Sequence, residues 1–227
     1  MRVFIGYDHA EAEAARVAAK SLHEVSGLTA EFLQADRLRA VGLLTRPVDT
    51  RGEHFDMFSG ARQSTEFAIS RFLTPLLCQG GPALFVDCDV VFCEDPRQMV
   101  REVDGRQALY VVKHDQQPTE KTKMGGKTQT AYGRKNWSSV MLFNCDHAAH
   151  RRMSVRDVNE RRGLDLHQFY WLHDDEIGDL HPRWNWLVNV EPRPVPLGIA
   201  HLTLGGPWIQ GWQGGEADEL WRAASAS

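Results

Sequence analysis

Apolar and polar positions fall in short blocks along the chain, and the blocks predict an α/β protein. Arg2 to Tyr7 reads as a first strand, closed by Gly6 and the polar pair Asp8-His9. Glu11 to Val25 carries Ala15, Ala18, Ala19 and Leu22 at helical spacing, and Ser26-Gly27 ends it. Thr29 to Gln34 predicts a second strand. A β-α-β opening of this kind implies a parallel sheet with a helical crossover. From Asp36 to Gly60 the pattern weakens and predicts mainly loop, punctuated by Arg46-Pro47, Arg51-Gly52 and Ser59-Gly60. Ser64 to Leu77 regains helical spacing through Phe67, Phe72, Leu73 and Leu76, with Pro75 expected to kink or end the helix.

Gly80-Gly81-Pro82 is a turn, and Ala83 to Val86 a third strand. Asp95-Pro96 reads as an N-cap followed by proline at the first helical position, opening a helix to about Val103. Ala108 to Lys113 and Ser138 to Phe143 are strand-like, separated by a polar loop from His114 to Arg134. Asp146 to Arg161 and Leu164 to Leu172 predict helices, and the tail beyond Trp184 is rich in Trp, Pro and Gly with little periodicity. No internal repeat or interdomain linker interrupts residues 1–227, so one domain with an irregular C-terminal section is expected.

Asp87-Cys88-Asp89 stands out against this pattern. It joins two apolar runs, Ala83-Leu84-Phe85-Val86 and Val90-Val91-Phe92. Carboxylates at i and i+2 share a side of a strand, and irregular backbone at a strand end can aim both at one ligand. Two close carboxylates repel unless a cation or a proton lies between them, and burying the pair among apolar residues is costly without that partner. The motif therefore marks a candidate divalent-cation site that also holds an anionic substrate.

Composition narrows the partners. Hydrophobic residues at 42% and charged residues at 25% are ordinary for a globular protein, and the formal net charge of −4 argues against a broad nucleic-acid surface. Cys78, Cys88, Cys93 and Cys145 are scattered, without a C-x-x-C or a zinc-type spacing, so a reducing cytoplasm is the expected setting. No apolar stretch approaches the roughly 20 residues needed to span a bilayer, and no signal-peptide core is seen at the N-terminus.

Two motif readings compete for these residues. Gly126-Lys127-Thr128 suggests a phosphate loop, but Lys121 stands where its first glycine belongs and no apolar strand precedes it. Asp87-Cys88-Asp89-Val90-Val91 fits the opening motif of haloacid-dehalogenase-like phosphatases, with Asp87 as nucleophile, Asp89 as general acid and Asp174-Asp175 as later acids. That motif normally occupies the first core strand, whereas a whole β-α-β unit precedes it here.

A third reading uses more of the chain. Phe4-Ile5-Gly6-Tyr7-Asp8, Phe67-Ala68-Ile69-Ser70-Arg71-Phe72-Leu73, Leu84-Phe85-Val86-Asp87-Cys88-Asp89, Ser138-Ser139-Val140-Met141-Leu142-Phe143-Asn144 and His201-Leu202-Thr203-Leu204-Gly205-Gly206-Pro207-Trp208 occur in that order. Together they resemble the family-8 glycosyltransferases, a series of local matches from the first strand to about Trp208. The resemblance implies a GT-A fold, with a Rossmann-like, mixed but mostly parallel sheet flanked by helices. It implies a nucleotide-sugar donor, most simply a UDP-hexose, and a glycan or other hydroxyl acceptor. It places Tyr7 and Asp8 at the base and ribose, Arg71 on the diphosphate, and Ser138 and Ser139 beside the donor sugar. Asp87, Asp89 and His201 become ligands of Mn²⁺ or Mg²⁺, while Asp87, Gly205, Gly206 and Trp208 also contact the donor. Oxygen ligands plus one imidazole suit such an ion, which would clamp the diphosphate as a Lewis acid.

The chain also departs from the family. Gly206 stands where a diphosphate-binding lysine is common, leaving Lys113, Lys127 or Lys135 to supply the charge. Trp137 replaces an asparagine, and His167-Gln168 replaces an Asp-Gln pair near the reacting carbon. The family retains anomeric configuration, and Gln168 is a poor nucleophile for a double displacement. Front-face substitution is therefore expected, with the leaving phosphate oxygen taking the acceptor's proton and the Gln168 carbonyl stabilising positive charge on the sugar. Asp174 and Asp175 are spare acids for sugar hydroxyls. Trp184 and Trp186 are expected to fill core and Trp208 or Trp212 to line the site. The same residues would equally serve a module that binds a nucleotide sugar or glycan without turning it over.

Overall fold

Small residues on the inner face of the first helix let it lie close on a sheet. A computed structural model, which describes residues 1–49, 54–114, 134 and 136–226, shows how that contact organises the chain. Strand β1 (Arg2–Gly6) leads into α1 (Ala12–Ser26), which buries Ala14, Ala15, Val17, Ala18, Ser21 and Leu22. Gly27 stops the helix in the left-handed region at φ 68°, where its N–H reaches the His23 carbonyl. Strand β2 (Ala30–Leu33) returns parallel to β1, so the predicted crossover unit is present.

The chain continues through α2 (Ala35–Ala40), β3 (Val48–Asp49), β4 (Phe55–Asp56), β5 (Ala61–Arg62), α3 (Thr74–Leu77), β6 (Pro82–Val86) and β7 (Val90–Phe92). It proceeds through α4 (Arg97–Glu102), β8 (Leu109–Val111), β9 (Val140–Asn144), α5 (Val155–Glu160), α6 (Gly163–His167) and β10 (Ile177–Asp179). β11 (Trp186–Leu187), β12 (Ile199–His201) and α7 (Asp218–Ala226) complete it. The main sheet has the order β10-β8-β9-β6-β1-β2. β9 runs antiparallel to both β6 and β8, and the remaining pairings are parallel, which gives the expected mixed, mostly parallel sheet flanked by helices. A second sheet, β11-β12-β7, carries the C-terminal section back to the strand that follows Asp89. Trp186, Val188, Leu202, Trp221 and Ala224 form its own apolar cluster with Val17 and Val91.

Several predicted elements differ. The expected loop from 36 to 60 holds most of α2 and two strands, β3 and β4, of a small antiparallel sheet that β5 completes. α2 buries only Leu38, too little apolar surface to create a periodic signal. Ser64 to Leu77 is not one helix but turns, a 3₁₀ segment (Ser70–Leu73) and the short α3. Residues 67–75 are all buried, so the segment lacks the polar face of a surface helix. Pro75 sits in the first turn of α3, where its missing N–H costs nothing. The predicted helix from 146 to 161 is split, because Ser154 caps α5 and forms a capping box with Asp157. The helix expected to reach Leu172 ends at His167, and α7 lies in the tail where no helix was expected.

Candidate metal centre

Chain reversal after β6 sets the geometry of the centre. β6 ends at Val86 and β7 begins at Val90, so Asp87-Cys88-Asp89 forms the bend between two strands that are buried in all but Pro82. Asp87 N–H donates to the Ser139 carbonyl at 2.9 Å, tying the bend to the start of β9. On the other side, β12 pairs antiparallel with β7, matching His201 to Val90, and Leu202 N–H donates to the Asp89 carbonyl at 2.9 Å. Sequence positions more than 100 residues apart are thus brought together by backbone pairing. Each of Asp87, Asp89 and His201 offers a ligand atom, and the three atoms lie within 4.8 Å of one another. Cys88, between them, turns inward and is fully buried, and its Sγ meets Glu11 Oε2 at 3.0 Å. Burial, then the charge of Glu11 and of Asp89, pushes that thiol far above its usual range, so it is inert packing.

The donor set suits a hard divalent cation. Two carboxylates and one imidazole match Mn²⁺ or Mg²⁺ better than a soft-ligand metal. His201 is 1% exposed, and its Nε2 is buried, makes no hydrogen bond, and lies 3.3 Å from Asp89 Oδ1. An imidazole nitrogen turned to a carboxylate without hydrogen-bond geometry is the arrangement a shared cation would satisfy.

Arg71 stands against the same cluster. Its guanidinium is buried, pairs with Asp87 at 2.8 Å, donates to the Ser138 carbonyl at 2.8 Å, and sits over the Phe67 and Phe85 rings. Ser138 Oγ faces His167 Nδ1 at 2.8 Å. Burial, and next the charge of Arg71, pushes His167 down to about 3, so the ring is neutral. Gln168 follows on the exposed turn after α6, its backbone carbonyl accepting from Arg134. Arg134 also pairs with the exposed Asp174.

The remaining predicted residues have structural duties as well. Asp8 caps the 3₁₀ turn after β1 through Ala10 N–H at 2.9 Å and accepts from Glu66 N–H at 3.2 Å. Tyr7 meets His9 and Phe32 edge-on. Gly205 and Gly206 make a tight passage: an added Cβ at Gly205 would lie 2.5 Å from Ile209, and one at Gly206 would lie 2.2 Å from the Trp208 ring. Trp208 packs on that glycine and on Trp221, while Trp212 donates to Asp218. Trp184 and Trp186 are buried as expected. Lys113 pairs with the exposed Asp179 at 3.1 Å and donates to the Ile177 carbonyl at 3.0 Å. Lys127, Lys135 and the Gly126-Lys127-Thr128 segment lie outside the described residues.

β1, β2 and β6 point the same way, and their C-terminal ends share one edge. Asp87 follows β6 on that edge. A cavity of about 150 Å³ lies along it, lined by His9 after β1, Asp36 after β2, and Arg39, Arg46, His54 and Glu66. Ligands of open α/β sheets characteristically bind at this edge. Sequence reasoning missed Arg46 and Asp56, a fully buried ion pair at 2.5 Å that fixes one wall of the cavity. It also missed His114, Asn185 and Glu191, which stand behind His201.

No protein-family model matches the chain. Protein CDI of Arabidopsis thaliana is 40% identical over 230 residues, an alignment that takes in 97% of this chain and 84% of that protein. The chain belongs to the Protein CDI family. Its fold is the GT-A type found in solved glycosyltransferases. Galactosyltransferase LgtC, solved with donor and acceptor sugar analogues, superposes with a TM-score of 0.61 over 100% of the CDI-family chain and 95% of its own, at 16% identity. The apo glycosyltransferase GlyE of Streptococcus pneumoniae TIGR4 gives 0.60 over 100% of this chain and 60% of its own, at 17% identity. Mouse xyloside xylosyltransferase 1 gives 0.51 over 88% of this chain and 96% of its own, at 12% identity. Among the described residues of this CDI-family chain, no helix is long and apolar enough to cross a membrane.

Proposed function

We propose that the protein is a metal-dependent, retaining glycosyltransferase that moves a hexose from a nucleotide diphosphate sugar, in the first instance a UDP-hexose, to a hydroxyl acceptor. The observation that carries this reading is the convergence of Asp87, Asp89 and His201 at the C-terminal edge of a GT-A sheet. A divalent cation bound there neutralises charge on the diphosphate as the glycosidic bond breaks. Arg71, held between two phenyl rings, presents a fixed guanidinium to phosphate oxygens. The cavity beside His9 and Asp36 offers polar groups to the nucleoside. Ser138 and Ser139 border the donor sugar, and Gly205, Gly206 and Trp208 form the neighbouring wall. The exposed Gln168 turn, adjoining the His167–Ser138 contact, supports a role at the reacting carbon. Transfer on one face of the sugar needs no protein carboxylate beneath the anomeric carbon, in keeping with a neutral His167 and an amide at 168.

The phosphatase reading needs Asp87 free to attack phosphorus, but Asp87 is paired with Arg71, and that reading leaves His201 idle. A thermal-shift screen of nucleotide sugars with and without Mn²⁺ tests the proposal. UDP and a UDP-hexose should raise the melting temperature only with Mn²⁺, the Asp89→Ala variant should lose the rise, and UDP should accumulate when an acceptor is added. UDP binding that is indifferent to divalent metal would refute the metal-dependent reading. Donor binding without turnover across an acceptor panel would instead favour a binding module.

A further inference from the structure

Behind His201 runs a chain of buried polar side chains whose hydrogen-bond directions can be read from its ends. His201 Nδ1 meets Asn185 Oδ1 at 3.0 Å. Asn185 Nδ2 meets His114 Nε2 at 3.0 Å, Ser139 Oγ at 3.0 Å and the Asn136 carbonyl at 3.3 Å. His114 Nδ1 meets Glu191 Oε1 at 2.8 Å. Asn185 is 0% exposed, and His114, Ser139 and His201 are also buried.

Two acceptors set the direction. The Asn136 carbonyl accepts only, and it already takes the Ser139 hydroxyl proton at 2.6 Å, so Ser139 Oγ offers a lone pair to Asn185. Both facts require the amide nitrogen of Asn185 on that side and its oxygen toward His201. At the far end, the Glu191 carboxylate accepts from His114 Nδ1–H, which leaves His114 Nε2 as the acceptor for the Asn185 amide. The one remaining assignment is that His201 Nδ1 donates to Asn185 Oδ1, which leaves Nε2 as the nitrogen whose lone pair a cation can take. That nitrogen is the one turned to Asp89. Backbone geometry serves the same end: Asn136 adopts φ 63°, an uncommon left-handed conformation for a non-glycine residue, and presents its carbonyl to both Ser139 and Asn185. Trp137 Nε1 and Trp186 Nε1 anchor the His114 and Glu191 carbonyls.

We infer that Glu191, His114 and Asn185 are positioning residues that lock His201 in the Nδ1–H tautomer, with its Nε2 lone pair presented to the Asp87–Asp89 cation site. This rests on the metal reading above. A ligating histidine is commonly oriented by a hydrogen bond from its second nitrogen, and losing such support typically lowers metal affinity about 10- to 100-fold.

Two measurements on the full chain test the relay. Long-range ¹H–¹⁵N correlation spectra of the protein should show His201 carrying a proton on Nδ1; a ring bare on Nδ1 and protonated on Nε2 overturns the inference without any variant. Calorimetric Mn²⁺ titration, with no nucleotide present, should show Asn185→Leu binding about 10- to 100-fold more weakly. A folded Asn185→Leu protein with unchanged Mn²⁺ affinity overturns the relay while leaving the glycosyltransferase reading intact. A wild-type protein that binds no Mn²⁺ overturns the metal reading and with it the purpose given to the relay, whatever tautomer His201 adopts.

Discussion

Arg71→Met keeps the length of a buried side chain and removes its charge, so it isolates what the guanidinium does at the acidic bend. Arg71 Nη1 lies 2.8 Å from Asp87 Oδ1, and the two side chains are 5% and 15% exposed. At an effective dielectric of about 20, that separation corresponds to about 6 kcal/mol of attraction before desolvation is counted. Breaking one side of a buried pair costs about 3–5 kcal/mol net, because the other charge is stranded. Here the stranded charge has a like neighbour: ligand atoms of Asp87 and Asp89 are at most 4.8 Å apart, a repulsion of at least about 3.5 kcal/mol at the same dielectric. Urea unfolding followed by tryptophan fluorescence in EDTA should therefore show Arg71→Met destabilised by about 3–5 kcal/mol. Mn²⁺ should restore more stability to the variant than it adds to the wild type, since it replaces a missing positive charge. Asp87→Asn in the Arg71→Met background should also recover part of the loss. The reasoning is refuted if the single variant loses less than about 1 kcal/mol, within the range of an exposed ion pair. It is equally refuted if neither Mn²⁺ nor Asp87→Asn relieves the variant.

Three other variants probe the surroundings. Asp56→Asn breaks a pair whose side chains are each 1% exposed, so unfolding experiments should record a loss of about 3–5 kcal/mol, and Arg46→Met with Asp56→Leu together should be less damaging than Asp56→Asn alone. His167 is held near 3 against an ordinary 6.5; the unfolded chain therefore binds the extra proton first, and this stability is full above about pH 6.5 and lost progressively as pH falls toward 3. His167→Gln should show a shallower decline over that window in denaturation curves at pH 7.5, 5.5 and 4.5, and equal slopes would reject the assignment. Gly206→Ala places a methyl 2.2 Å from Trp208 and 2.9 Å from Leu202, so calorimetry should show about 1–3 kcal/mol of overpacking cost together with weaker donor binding; a neutral effect would mean that Trp208 moves freely.

Periodicity located the elements whose burial is one-sided and failed where burial is total or slight. α1 was readable because Ala15, Ala18 and Leu22 face the sheet while Glu13 and Lys20 lie outside it. The segment from Phe67 to Pro75 was not, because polar Ser70, Arg71 and Thr74 are buried along with its apolar residues. Thr74 Oγ1 donates to the Arg71 carbonyl, and Arg71 donates to Ser138, so hydrogen bonds rather than a solvent-facing side accommodate the polar groups. Short strands such as β3, β4 and β5 are set by the Arg46–Asp56 pair and by Asn159, which takes Thr45 and Arg46 N–H from more than 110 residues away. Nothing local in the sequence encodes that contact.

The candidate site divides along the same line. Asp87 and Asp89 were legible because two acids between apolar runs demand a partner, and His201 because a pattern of glycines, proline and tryptophan follows it. The relay behind His201 carries no such mark. Asn185 sits between two tryptophans, His114 borders a polar loop, and Glu191 lies in an aperiodic tail; each alone looks like an ordinary surface or loop residue. They acquire a role only through the pairing of β12 with β7, which turns one face of His201 to the carboxylates and the other to Asn185. A metal ligand needs a specific nitrogen bare as well as a specific residue present, and that choice is made by hydrogen-bond direction. Residue type therefore announces the acids and the imidazole, while the fold alone determines which nitrogen of His201 faces them.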